Sequence, residues 1–391
     1  MKKYNFDEVI NRVGTNCEKW DLPELCSPDS ISLWVADMDF NISDEIIQEM
    51  SSRLDHHIFG YSFRAQSWKD SIISWLKRRH GWSVDSKWIQ FAPGVVPAIA
   101  ISILSYTNEG DGILIQPPVY PPFSKTVLDG SRKLVENPLK LVNGRFEMDY
   151  DDLEKKISSE NVKLALLCSP HNPSGRVWKR DELERFASIC LSKGVTIFSD
   201  EIHSDIVFSG NVHIPIACIS PDIANITLTA MSPSKTFNIA GLSTSEVIIS
   251  NDCLREKYAK TLDFIHVGGG NIFGTVAAET SYNKGEEWLV QLLEYLEGSI
   301  DYIDKYLSEE LPEIKLMRPE GTYVPLLDCS QLGLSPVELE SLFKDKAKVI
   351  LNSGYTFGKE SEGFMRLNIA APRSTLAEGL RRIKEAVKDR D

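Results

Sequence analysis

From about residue 88 to 250 the chain alternates short apolar runs with amphipathic stretches. The runs are DGILIQ (111–116), VKLALLCS (162–169), GVTIFSD (194–200), ITLTAMS (226–232) and SEVIIS (245–250). Each has strand length, and several are continuously apolar rather than alternating, the pattern of strands buried on both faces. Between them, DELERFASICLSKG (181–194) has helical spacing and ends on a glycine suited to a helix C-terminus. Such alternation predicts an α/β fold: an open, mostly parallel sheet covered by helices.

After Gly285 the pattern changes. EEWLVQLLEYLEGSIDYIDKYLSEEL places Trp288, Leu292, Leu296, Ile300, Ile303 and Leu307 on one face of a long amphipathic helix. The tail mixes short strands with a final helix, where Thr375 and Glu378 form a candidate capping box. The expected organisation is a large α/β domain over 49–285 and a smaller α+β domain over 286–391. An N-terminal segment, 1–48, is expected to pack with the small domain. A length of 391 residues agrees, being too great for one ordinary core.

Composition narrows the function classes. A net charge of −13 with no basic run argues against a nucleic-acid-binding face. The opening MKKYNFDEVINRVG has two lysines but no apolar stretch behind them, unlike a signal peptide. The segment VVPAIAISIL (95–104) is far shorter than the roughly 18 residues that span a bilayer. Seven cysteines, an odd number without CxxC spacing, read as reduced thiols. These features predict an acidic, soluble, cytoplasmic protein.

Five stretches at predicted strand ends carry candidate chemistry. WIQFAPGVVPAIAISIL reads as strand, turn at Gly94 and helix; the free N–H groups of Val95 and Val96 suit a phosphate, or the stretch is an ordinary strand–helix turn. IQPPVYPPF (115–123) holds Tyr120 in a stiff proline loop, either over a planar ligand or in a surface turn. In LLCSPHNPSGRVW (166–178), Asn172 offers its amide to a ligand oxygen or closes an Asx-turn. SDEIHSD (199–205) gathers Asp200, Glu201, His203 and Asp205; a metal set is the rival reading, but the spacing matches no zinc motif. A buried carboxylate there suits a ligand cation instead. In MSPSKTFNIAGL (231–242), Lys235 sits among small hydroxyl residues, either as a surface lysine or as one that loses its proton and attacks a carbonyl.

One ligand uses all five features: pyridoxal 5′-phosphate. Its aldehyde requires a lysine, its phosphate a helix N-terminus with hydroxyls, and its ring a stacking aromatic. Its pyridinium N–H requires a carboxylate and its phenolate oxygen a donor.

Taken in order, APGVV, PPVYPPF, HNPSG, SDEIHSD and SPSKTFNIAGL resemble the fold-type-I, class I/II aminotransferase superfamily over nearly the whole chain. WVADMDF (34–40) resembles more specifically its MalY/PatB-type cystathionine β-lyase (C–S lyase) branch. The resemblance implies the fold-type-I transferase architecture, with a seven-stranded sheet in the large domain. It implies Lys235 as the cofactor-binding lysine, Asp200 as the pyridinium partner, Asn172 on the phenolate oxygen and Tyr120 stacked on the ring. Val95, Val96, Ser232 and Ser234 are expected around the phosphate. Tyr61 is expected at the phosphate of the other subunit, which implies a homodimer with active sites at the interface. Arg366, with the backbone of Ala36, is expected to hold the substrate carboxylate. Two positions depart from the broader superfamily: His203 stands where a tyrosine is common, in agreement with the lyase branch, and Ser243 where an arginine is common.

The activity implied is α,β-elimination of L-cystathionine or related cysteine S-conjugates to a thiol, pyruvate and ammonia. Lys235 or Tyr120 would protonate the leaving sulfur, and Trp34, Phe63 and Tyr355 are candidate pocket walls. Three rivals stand beside it: an aminotransferase using the same cofactor contacts, a regulator of this fold acting through a protein partner, and a metal hydrolase centred on SDEIHSD.

Overall fold

The structure, a computed structural model, describes residues 2–390. Its centre is a seven-stranded sheet in the order Ile89–Ala92, Ser245–Ile248, Thr227–Met231, Thr196–Asp200, Val162–Cys168, Gly112–Ile115, Lys133–Glu136. Ser245–Ile248 runs antiparallel to both its neighbours, and the other pairings are parallel. The continuous apolar runs have the reason the sequence suggested. Ile113, Ile115, Leu164 and Leu166 pack into one hydrophobic cluster, while Leu114, Ala165, Leu167 and Ile197 pack into another. Successive side chains point to opposite faces of a strand, so helices on both sides of the sheet demand apolar residues at every position.

Register decides where the loops emerge. Cys168 pairs with Asp200 and Asp200 with Ala230, so the HNPSG, DEIHSD and SPSK segments all leave one edge of the sheet. Because Ser245–Ile248 is antiparallel, its first residue, Ser245, lies at that same edge beside Ala92, just before the Gly94 turn. Ligands gather outside the carboxyl ends of such strands.

The long helix spans Glu286–Glu310, and every residue assigned to its apolar face is buried. Beyond it lies a four-stranded antiparallel sheet in the order Lys315–Leu316, Leu326–Asp328, Phe364–Arg366, Asn352–Ser353. The N-terminal segment joins this region. Ile31–Ser32 pairs in parallel with Val349–Ile350, and the Phe6 ring meets those of Phe40 and Trp288 at 5.1 and 5.7 Å. The last helix, Arg373–Lys388, departs from expectation at its start: Pro372 is the cap residue, and Thr375 lies inside the first turn. Glu378 is taken by Arg381 and Arg382 instead of closing a capping box. Among the described residues, no helix is long and apolar enough to cross a membrane.

Candidate active site

The loops at the carboxyl edge surround a cavity of about 690 Å³, the size of a cofactor-plus-substrate pocket. Lys235 lies in the short helix Pro233–Thr236 that follows Met231. Its Nζ donates to the Ala36 carbonyl at 2.6 Å. Removal from water lowers its pKa to about 8, although the nearby Asp37 charge works the other way. A lysine so placed exchanges its proton near neutral pH.

Asp200 ends the Thr196–Asp200 strand and is buried. Among the described residues it accepts one hydrogen bond, from the Ile202 N–H at 3.1 Å. Burial raises its pKa to about 7. A carboxylate with so few donors is costly to keep charged, and a cation delivered by a ligand would relieve that cost.

Arg366 comes from the other sheet and is buried. It donates to Asn172 Oδ1 at 2.9 Å, to the Trp34 carbonyl at 3.0 Å and to Asn352 Oδ1 at 2.6 Å, and it stacks on Phe357. Its Nε has no partner, and among the described residues no carboxylate pairs with it. Burial lowers its pKa to about 10. This buried guanidinium is held by neutral oxygens and remains uncompensated, which fits an incoming carboxylate.

Opposite these groups, Gly94 precedes the Val95–Tyr106 helix with φ of 146°, which excludes side chains, and a Cβ there would also press on Pro97 at 3.3 Å. Val95 and Val96 line the cavity at this helix N-terminus, as does Ser234. Tyr120 lines it as well, and burial raises the pKa of its phenol. His203 completes the floor. It is buried against the Tyr323 ring, its Nδ1 lacks a partner, and burial lowers its pKa to about 3, so it stays neutral.

The other expected residues are placed as follows. Ser232 does not line the cavity. Its hydroxyl caps the Lys235 helix, accepting from the Ser234 N–H at 3.1 Å and lying 2.9 Å from the Thr244 carbonyl. There it helps build the turn that presents Lys235. Ala36 lines the cavity, and its carbonyl accepts from Lys235 and, at 2.9 Å, from the Tyr323 hydroxyl, so only its N–H is a backbone group suited to a carboxylate. Tyr61 is fully exposed and lies outside the cavity of its own chain, and neither Phe63 nor Tyr355 is a wall of it.

The cavity also holds residues that the motifs did not single out: Glu18, Asp37, Ser245, Asn352 and Phe357. Ser245 was visible only as the start of a strand. Ser243, noted as a departure from the superfamily, lines the wall with a left-handed φ of 48°.

The family model for aminotransferase class I and II matches residues 28–383. The chain belongs to the class I and II aminotransferase family. Cystathionine β-lyase PatB of Bacillus subtilis is 44% identical over 98% of this chain and all of the relative. Protein MalY of Escherichia coli is 32% identical over 98% of this chain and 99% of its own length. Among solved structures, cystalysin of Treponema denticola, which contains pyridoxal 5′-phosphate, superposes with a TM-score of 0.96 at 35% identity over the whole of both chains. The PLP-bound C–S lyase of Staphylococcus hominis gives 0.92 at 35% identity, covering 99% of this chain and 98% of that one. This family member therefore carries, at the carboxyl edge of its sheet, a lysine, a carboxylate and an arginine converging on one cavity.

Proposed function

We propose that this protein is a pyridoxal-phosphate-dependent C–S β-lyase acting on L-cystathionine and related cysteine S-conjugates. The carrying observation is that Lys235, Asp200 and Arg366 meet in one cavity of a chain 44% identical to cystathionine β-lyase PatB over its length. The overall reaction cleaves the Cβ–S bond and adds one water, giving a thiol, pyruvate and ammonium.

The residues fit the cofactor in chemistry as well as position. Asp200, short of donors, would hold a proton on the pyridine nitrogen. The Asn172 carbonyl oxygen is already taken by Arg366, which leaves its amide N–H groups for the ring oxygen. Val95 and Val96 N–H groups and the Ser234 hydroxyl would hold the phosphate. Ser234 lines the cavity with its Oγ 2.8 Å from Ser232 Oγ, so its hydroxyl stands where it would meet the phosphate. When bound, the cofactor supplies an aldehyde to capture the substrate amine and a ring that draws negative charge from Cα.

Arg366 orients the substrate by its α-carboxylate. Lys235, with a pKa of about 8, is poised to take the proton from Cα as general base. The Tyr120 phenol, its pKa raised by burial, keeps its proton at neutral pH and faces the same space; it and the protonated Lys235 are the two donors for the departing sulfur. His203, neutral and buried, adds shape without charge.

We further propose a homodimer. Ile58, Phe59, Tyr61 and Phe63 form an exposed apolar segment, which marks an interaction surface, and Tyr61 would reach the phosphate of the other subunit.

The test is product analysis of the purified, cofactor-loaded protein with L-cystathionine and no keto acid. Pyruvate, ammonia and homocysteine in equal amounts are expected. Turnover that requires an added keto acid, with amino-group exchange, would convert the reading to an aminotransferase.

A further inference from the structure

Two charged wall residues, Asp37 and Glu18, take no part in the mechanism; Asp37 is paired with Arg12 and Lys19, and among the described residues Glu18 is not paired. Glu18 opens the four-residue helix Glu18–Asp21 and lines the cavity beside Trp34. Its neighbours hold that helix from the far side. Lys19 is completely buried, with Nζ 2.8 Å from Asp39 Oδ2, and the Trp20 indole donates to the other Asp39 oxygen at 3.0 Å. Asp21 accepts from the N–H groups of Gly14 and Cys17 at 2.8 and 3.1 Å. The Trp34 indole donates to the Lys19 carbonyl at 3.1 Å, tying the helix to the wall that also holds Arg366.

These anchors also decide the local charge. The two nearby cations, Arg12 and Lys19, are committed to Asp37 and Asp39. Among the described residues Glu18 has no ion pair and no side-chain hydrogen bond, and it is exposed to the cavity mouth. Its negative charge nevertheless reaches the reacting groups, adding to the proton affinity of both Lys235 and Tyr120.

A β-lyase substrate has its α-carboxylate and amine fixed by Arg366 and the cofactor, so the variable part is the group carried on sulfur. We propose that Glu18 is a specificity-determining residue that favours S-conjugates whose sulfur substituent bears an ammonium group. Cysteines with S-aminoalkyl chains form the favoured class; the distal end of cystathionine carries a carboxylate beside its ammonium and so gains less from Glu18. This inference rests on the C–S lyase reading above. Because the pair forms at a solvated mouth, the attraction is modest and acts on binding rather than on the chemical step.

The experiment compares S-(2-aminoethyl)-L-cysteine with the near-isosteric S-propyl-L-cysteine in the wild type, Glu18→Gln and Glu18→Lys, all cofactor-loaded. Both substrates are measured on one preparation, so the ratio of their kcat/KM values cancels differences in folding and cofactor content. The ratio of amine to propyl substrate is expected to fall about fivefold in Glu18→Gln and further in Glu18→Lys, through KM. A ratio that stays within about twofold across the three proteins would overturn the role of Glu18. If the wild type releases no thiol from either compound, the lyase reading fails instead. The Glu18 inference is then judged on the dissociation constants of the same two compounds, with the same expected fall and the same contrary outcome.

Discussion

Asp200 and Asp205 belong to one motif, both are buried, and they do opposite things. Asp205 is saturated: it accepts from the Trp75 indole at 3.1 Å, from Thr236 at 2.9 Å and from His80 at 3.0 Å. Burial works to raise its pKa, but His80, Arg79 and Thr236 outweigh burial and hold it below the usual carboxylate range. Asp200 has one backbone donor and is pushed up to about 7. The number of donors, not burial, separates a carboxylate that builds the protein from one that awaits a ligand. Thr236 follows Lys235, so Asp205 secures the back of the helix whose front presents the lysine.

If this division is right, front and back substitutions separate activity from stability. Lys235→Ala should lower kcat for elimination by about a thousandfold or more. Its melting temperature should remain close to the wild type, since a desolvated amine is removed. A steady-state assay with a thermal melt on the same sample checks both halves. Asp205→Ala leaves the indole of Trp75, the Thr236 hydroxyl and His80 unpaired, and should cost about 3 kcal/mol or more in denaturant unfolding.

The third expected effect concerns pH. For Asp200 the folded pKa, about 7, lies above the ordinary 3.8. The cofactor-free protein therefore holds this proton more tightly than the unfolded chain does. The corresponding stability is fully present below about pH 4 and is lost as pH rises towards 7. His171 and His203, both lowered to about 3, oppose this trend over part of the window, and Glu246, raised to about 8, adds to it. The stability difference between wild type and Asp200→Asn isolates the one group: it should shift against the wild type from pH 4 to 7. A flat difference would contradict the Asp200 assignment. Smallest is Ser234→Ala, which should weaken cofactor binding by about 1 kcal/mol in equilibrium dialysis, the worth of one hydrogen bond.

Much of this geometry was legible in the chain because the relevant information is local. Strands buried on both faces must be continuously apolar, and a lysine among Ser, Pro and Thr at a strand end is unusual whatever follows. Two kinds of residue escaped. Ser232 was expected on the phosphate, and nothing local shows that its hydroxyl also caps a four-residue helix and meets the Thr244 carbonyl. Glu18, Asn352 and Phe357 reach the cavity from short or irregular segments with no periodicity to read, and only long-range pairing such as Ile31–Ser32 with Val349–Ile350 brings those segments near the site. The capping box proposed at Thr375 failed similarly, since Pro372 starts the helix earlier and two arginines compete for Glu378.

The most direct measurement is the dissociation constant of pyridoxal phosphate for stripped wild type, Asp200→Asn and Asp205→Asn, each melted in parallel at pH 8. Asp200→Asn should bind the cofactor about tenfold or more weakly while melting no lower than the cofactor-free wild type. Asp205→Asn should melt lower and, at a temperature where it is folded, lose much less affinity. Wild-type affinity in Asp200→Asn, or a greater loss in Asp205→Asn with no change in melting, would contradict this division between the two carboxylates.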